Sequence, residues 1–207
     1  MSHLERILAD GTDRDQWKRA RYPVIGASDA KGLSKWESIP LYLRSKLSRE
    51  IWTGNVFTDD GYRWEPMFCG WAGFEHNQAL FHSPDEPGFA ATPDGIKQVP
   101  GGIALAQCKV RHVEPGQVGK GPSLAEKRQM AWDFVVFPEA IWEEFIWGDV
   151  RKDNPSGDLV GDEPRSLIFH RNDEEMVALR AHVVPIATEL LSRLRAALEA
   201  EKELNLA

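Results

Sequence analysis

Two short stretches hold residue types that could act together on a phosphate: Thr92-Pro93-Asp94-Gly95 and Ala106-Gln107-Cys108-Lys109. Asp94 closes one predicted strand and Gln107 lies in the next. Gln107 and Lys109 are two positions apart, so on a strand they share a face. Antiparallel neighbours joined by a turn would bring an acid, an amide oxygen and an amine to one sheet edge. Glu65, on a preceding helical segment, offers a second carboxylate. A hard divalent cation such as Mg²⁺ takes oxygen ligands. Asp94 and Glu65 supply charged oxygens, Gln107 a neutral one, and Cys108 its backbone carbonyl. Lys109 can then stabilise the charge of a phosphoryl transition state or orient the attacking water. That is machinery for metal-assisted phosphodiester hydrolysis.

Several elements must position these groups. Phe89 to Thr92 reads as a strand stopped at Pro93-Asp94-Gly95, and Ala79 to His82 as a short apolar strand before it. Ile103 to Val110 is apolar enough to be central. Asp59 or Asp60 starts a helix from Gly61 to Phe74, with Trp64, Met67, Phe68 and Trp71 as its buried stripe. Upstream, Ser2 caps a short helix carrying Leu4, Ile7 and Leu8 that Gly11 ends, and Asp13 caps Arg14 to Arg21. Ser28 or Asp29 caps a turn through Leu33, and Ser38 opens a helix through Leu47.

Downstream, Val113 to Pro122 is a loop. Ser123 caps a helix from Leu124 to Val135, with Glu126 as its capping-box partner. Ala140 to Trp147 and Ser166 to His170 are strands on either side of a polar loop, Gly148 to Pro164. Asp173 to Leu204 is a long helix with Leu179, Val183, Ile186, Leu190, Leu194 and Leu198 on one side, and Pro185 should kink it. The order predicts an α/β (α+β) fold, a central mixed sheet flanked by helices. One domain covers 1–207: a helical part at 1–50, a core at 51–172 and a C-terminal helix at 173–207.

Composition narrows the classes. The chain has 207 residues, 42% hydrophobic and 28% charged, as a globular domain does. No apolar run is long enough for a membrane span, and the start lacks a secretory pattern. Cys69 and Cys108 build no disulfide framework and read as core thiols, which fits a reducing cytoplasm. The net charge of -7, from 25 basic and 32 acidic residues, argues against a general nucleic-acid coat. It leaves room for a local basic groove, because phosphate affinity depends on where charges lie. His76, His82 and His112 show no ligand spacing.

Pro93-Asp94 followed by Gln107-x-Lys109 resembles the PD-(D/E)xK nuclease motif. More narrowly, the chain resembles the phage lambda exonuclease and YqaJ-type viral recombinase family, from about Arg21 to about Phe145. Arg21 and Ser28 match a segment that in the family holds a terminal 5′-phosphate. Gly61-Tyr-Arg-Trp-Glu65-Pro matches its helix with a metal-site glutamate. Ala91-Thr92-Pro93-Asp94-Gly95 matches its metal-aspartate turn, and Gln129-Met130-Ala131-Trp132 its helix with an active-site glutamine. The resemblance implies a restriction-endonuclease-like core and a phage or prophage exonuclease that resects linear double-stranded DNA 5′ to 3′. The 3′ single strand left behind would pass to an annealing recombinase. It also implies Mg²⁺, with Mn²⁺ as the alternative, held by Glu65, Asp94, Gln107 and the Cys108 carbonyl. Lys109 would stabilise the phosphate, Gln129 assist the water or substrate, and Arg21 and Ser28 grip the 5′-phosphate. Lys120, Lys127 and Arg128 are candidates for the phosphate track. Related enzymes form rings of three.

One residue departs from the family. Gln107 stands where Glu is usual, which removes a formal negative charge. At an effective dielectric of ~20, a unit charge pair at ~4 Å is worth roughly 4 kcal/mol before desolvation. Plainer roles also exist: Asp94-Gly95 as a turn, Glu65 as a solvated helix charge, Lys109 as an edge-strand gatekeeper, Gln129 as a surface residue. Arg21 and Ser28 could be a helix-end cation and a cap. Two alternatives follow. One is a sequence-tolerant endonuclease. The other is a weakened nuclease fold that binds DNA or a host protein through its acidic surface.

Overall fold

The structure, a computed structural model, describes residues 2–48, 56–155, 157–161 and 163–206. The N-terminal third contains β1 (Ile7–Ala9), α1 (Arg14–Arg21), β2 (Ile25–Gly26), α2 (Ala27–Ala30) and α3 (Ile39–Ser48). The middle contains α4 (Val56–Trp71), β3 (Glu75–His76), β4 (Leu80–His82), β5 (Phe89–Ala91), β6 (Gly95–Val99) and β7 (Gly102–Val113). The rest forms α5 (Leu124–Val136), β8 (Ala140–Arg151), β9 (Arg165–His170) and α6 (Glu174–Leu206).

The mixed strand arrangement flanked by helices is as the element order predicted, but it is divided into two sheets where one central sheet was expected. The larger has the order β3-β6-β7-β8-β9. Within it β6 and β7 form an antiparallel hairpin, β7 and β8 run parallel, and β9 returns antiparallel to β8. The parallel pair is joined through α5, the helical crossover such a pair requires. The smaller sheet has the order β1-β4-β5-β2.

Alternation along β7 separates two packing layers. Ala104, Ala106 and Cys108 face α4 and pack with Phe68, Cys69, Phe74 and Ile146. Ile103 and Leu105 face the other way, into the main core with Trp132, Phe134, Ile186 and Leu190 of α5 and α6. α6 continues through Pro185. Among the described residues, no helix is long and apolar enough to cross a membrane.

Several sequence expectations are corrected. The Ser2 capping box closes only a single 3-10 turn, His3–Arg6. Ile7 and Ala9 instead pair with Phe81 and Leu80, so tertiary pairing overrides the helical pattern. The turn at Ser28 is capped two residues earlier: Gly26 is the N-cap, and its N–H donates to the Asp29 carboxylate at 2.8 Å. α4 begins at Val56, and the segment 49–55 before it lies outside the described residues. Its expected stripe is only partly inward. Phe68 is fully buried, but Met67 and Trp71 are 40% and 43% exposed. The small residues of β7 admit the face of α4 that carries Phe68 and Cys69.

Asp94 also sits differently. β5, which precedes it, belongs to the smaller sheet, and Asp94 leads into β6, the true antiparallel neighbour of β7. The adjacency to Gln107 survives because the Asp94 N–H donates to the Ala106 carbonyl at 2.9 Å.

Candidate functional site

Asp94 is held at the mouth of the β6–β7 hairpin by backbone contacts. Its carbonyl accepts from the Asn77 N–H at 2.9 Å and from the Cys69 thiol at 3.3 Å. Asn77 Nδ2 also donates to the Pro93 carbonyl at 2.8 Å. Gly95 lets this happen. A Cβ there would lie 2.9 Å from Phe74 Cβ and 3.0 Å from Cys69 Sγ, closer than real side chains pack.

The carboxylate so placed faces β7. Its Oδ2 accepts from the Cys108 N–H at 2.6 Å and from the Gln107 side-chain amide. Lys109 Nζ lies 3.8 Å from the same oxygen and donates to the Cys108 carbonyl at 2.8 Å. Gln107 Oε1 in turn accepts from Gln129 Nε2 on α5. Glu65 is one helical turn before Cys69 on the same face of α4, and its Oε2 is 3.9 Å from His76 Nε2.

Electrostatics tie these groups together. Burial pushes the Glu65 carboxyl up to about 8, with a further push from Asp94 and a counter-pull from Lys109. Asp94 is also raised, first by burial, against the opposing influence of Lys109 and the Cys108 N–H. Two acids share a partly buried space with one close amine, a setting in which added positive charge is favourable.

Glu65, Asp94, Gln107, Lys109 and Gln129 are therefore drawn to one place. The Cys108 carbonyl lies beside them. Its thiol is buried and free, 3.7 Å from that of Cys69.

Arg21 and Ser28 also meet, the Arg21 guanidinium donating to Ser28 Oγ. Arg21 lies over the Trp17 ring, and Lys46 pairs with Asp29 beside it at 2.7 Å. Lys31, just after α2, feels the charges of Lys109, Glu126 and Arg111. The short helix α2 thus runs between the Arg21–Ser28 pair and the Lys109 neighbourhood.

Of the three phosphate-track candidates, Arg128 donates from Nε to the Lys31 carbonyl at 3.0 Å. Lys127 turns away to Glu175 on α6, at 2.8 Å. Lys120 offers its carbonyl to Arg111, which pairs with Glu126 at 2.7 Å. Those bonds from Arg111 and Ser123 hold Glu126 at about 2 although burial acts against its charge.

Sequence reading missed two participants. His76 has no spacing signal, yet its ring stands beside Glu65. Asn77 anchors the Asp94 turn, and only its position just after a β-strand edge could have flagged it. Among the described residues, no group of three or more His, Cys, Asp and Glu side chains is arranged to hold a metal ion. With Gln107 in place of an acid, Glu65 and Asp94 are the two carboxylates of the site.

Strand order, the hairpin with Asp94 at its mouth and the crossover helix α5 over the site can be compared with known folds. The chain is similar to an alkaline exonuclease, LHK-Exo, from Laribacter hongkongensis, with a TM-score of 0.62, 19% identity, and coverage of 92% of this chain and 99% of that one. LHK-Exo in complex with dAMP matches with a TM-score of 0.59, 18% identity, and coverage of 92% and 99%. A phage-related exonuclease from Haemophilus somnus 129PT matches with a TM-score of 0.55, 13% identity, and coverage of 94% and 93%. At these identities the likeness establishes a shared fold. No protein-family model and no curated protein sequence matches the chain.

Proposed function

We propose that the protein is a metal-dependent deoxyribonuclease that resects linear duplex DNA from a 5′ end and leaves a 3′ single strand for an annealing recombinase. The observation that carries this reading is the convergence on Asp94 Oδ2: the Cys108 N–H at 2.6 Å and Lys109 Nζ at 3.8 Å, with Glu65 near enough that the Asp94 charge adds to burial in raising its proton affinity. The available donors are oxygens, which suits Mg²⁺ or Mn²⁺. Glu65, Asp94, the Cys108 carbonyl and Gln107 Oε1 would hold the ion. When bound, it supplies Lewis-acid polarisation of the phosphate and acidifies a water.

The chain's own residues do the remaining work. Lys109 stands beside Asp94 and is free to turn its ammonium from the Cys108 carbonyl to a phosphate oxygen, where developing charge is stabilised. Gln107 now presents its NH₂ to Asp94 and its oxygen to Gln129. To offer that oxygen to a cation its amide must rotate, and Gln129 must rotate with it to keep a bond. The two amides therefore act as one unit. Arg21 and Ser28 would receive the terminal phosphate, and Arg128 and Lys31 would border the path toward Lys109. Phosphate contacts of this kind set register without reading sequence.

Gln107 donating to Asp94 also favours a second reading, a weakened nuclease that binds DNA without cutting it efficiently. A Mg²⁺-dependent assay on linear and circular duplex separates the outcomes. The exonuclease degrades linear DNA and spares circles, an endonuclease cuts both, and a binding protein cuts neither.

A further inference from the structure

Behind the site, α5 meets the sheet through a column of polar side chains. Glu126 bonds Arg111 and Gln129 bonds Gln107. Asp133, one turn beyond Gln129, meets Glu143 of β8. Glu143 is in register with Leu105, one inward-facing position before Gln107. Asp133 and Glu143 are 1% and 0% exposed. None of their four carboxyl oxygens has a hydrogen-bond partner outside the pair. Two buried anions facing each other would be prohibitively unfavourable, whereas one shared proton makes each the other's partner.

We propose that Asp133 and Glu143 form a single-proton clamp that ties α5 to β8 and thereby positions Gln129 against Gln107. They are positioning residues, since neither touches the Asp94 carboxylate. The bearing on cleavage rests on the nuclease reading given above; the clamp itself does not.

Both carboxyls are raised, so at neutral pH the pair holds at least the one proton that its facing oxygens need. Burial pushes Asp133 up to about 8. Glu143 is raised well above the ordinary range by burial first and by Asp133 second. Asp94 reinforces both shifts and Lys109 opposes them. Arg111 and Glu126 neutralise each other further along the column, and Lys31 lies beyond Lys109. On the α6 and β9 side, Lys127 is paired with Glu175, Arg171 donates to backbone carbonyls at Phe134 and Phe137, and Arg180 lies over the Phe134 ring.

The sign follows from the raised affinity. Between the ordinary carboxyl value of about 4 and about 8, the folded protein keeps a proton that the unfolded chain releases, so stability falls as pH rises through that window.

The test uses the full chain with Asp133→Asn and Glu143→Gln together, an amide pair of the same shape that has no carboxyl proton to lose. Infrared spectra near pH ~7 should show, beside the protonated Glu65 carboxyl, a further protonated-carboxyl component in the wild type that the variant lacks. Cleavage at that pH should stay within a few-fold. Towards alkaline pH the wild-type rate and thermal midpoint should fall relative to those of the variant. If the amide pair fails to fold, Asp133→Asn alone should shift that band in frequency, because the buried Glu143 carboxyl then faces an amide instead of a carboxyl. An unchanged band, or alkaline limbs that superimpose, overturns the clamp. A protein that cuts no DNA under any condition defeats the nuclease reading, while the band and the midpoint still decide the clamp.

Discussion

The two faces of β7 are built for different work. Toward α4 the strand shows Ala104, Ala106 and Cys108, small side chains with at most 2% exposure that let a helix pack close. Toward α5 it shows Gln107, Lys109 and Arg111, every one of them hydrogen-bonded or ion-paired. The first face fixes distance and the second holds the polar groups to which cleavage is assigned in the proposed function. Alternation allows both in one strand, because changing a residue on one face leaves its neighbours on the other in register. The small-residue face also serves the site indirectly, since it brings Cys69 of α4 to the Asp94 carbonyl and Glu65 along with it.

Substitutions on the two faces should therefore fail in different ways. The largest effect on rate is expected from Lys109→Ala. It removes the amine near Asp94, and cleavage of linear duplex should drop by about 10²–10³-fold, with the thermal midpoint close to wild type. A second large effect should come from pH. Glu65 holds its proton up to about 8 in the cation-free protein. A cation competes with that proton, so Mn²⁺ affinity measured by paramagnetic resonance should rise with pH by up to about tenfold per unit until about 8, then level off.

Gln107→Glu sharpens the same face. The added charge should raise Mn²⁺ affinity by about tenfold or more, within the roughly 4 kcal/mol gross value of a near charge pair. Loss of cleavage with tighter binding would instead assign the amide a role beyond ligation. Ser28→Ala, away from β7, should be milder. Substrates with a 5′-phosphate should lose about tenfold in kcat/KM, the scale of one charge-assisted hydrogen bond, and substrates without it should lose less. Ala104→Leu, on the packing face, should lower stability by about 1–3 kcal/mol in denaturant unfolding and change the kcat of folded protein far less than Lys109→Ala does.

The candidate site was legible where its signals were local. Asp94, Gln107 and Lys109 could be read because strand alternation and a hairpin dictate their adjacency. The Ser123 cap with Glu126 and the Asp13 cap were legible for the same reason, and both side chains accept the expected backbone N–H groups. Non-local features were hidden. Ile7 and Ala9 carry a helical pattern and become a strand only because β4 lies beside them. β6 was obscured by the turn residues at both its ends, so Asp94 was assigned to the end of the strand before it. Met67 and Trp71 fit a buried stripe by period, yet the inner face of α4 is decided by the strand it covers. Asp133 stands inside Met130 to Phe137, where every other residue is apolar. That isolation was a signal of burial, but its partner Glu143 lies on a separate element, beyond the reach of spacing.

A joint grip on one divalent ion by Glu65, Asp94 and the Cys108 carbonyl is tested most directly by anomalous diffraction from crystals soaked in Mn²⁺. A single peak within ligand distance of those three groups, lost in Asp94→Asn crystals, is the expected result. A protein that binds no ion there, or binds it only elsewhere on its surface, would contradict the hydrolytic role assigned to this site.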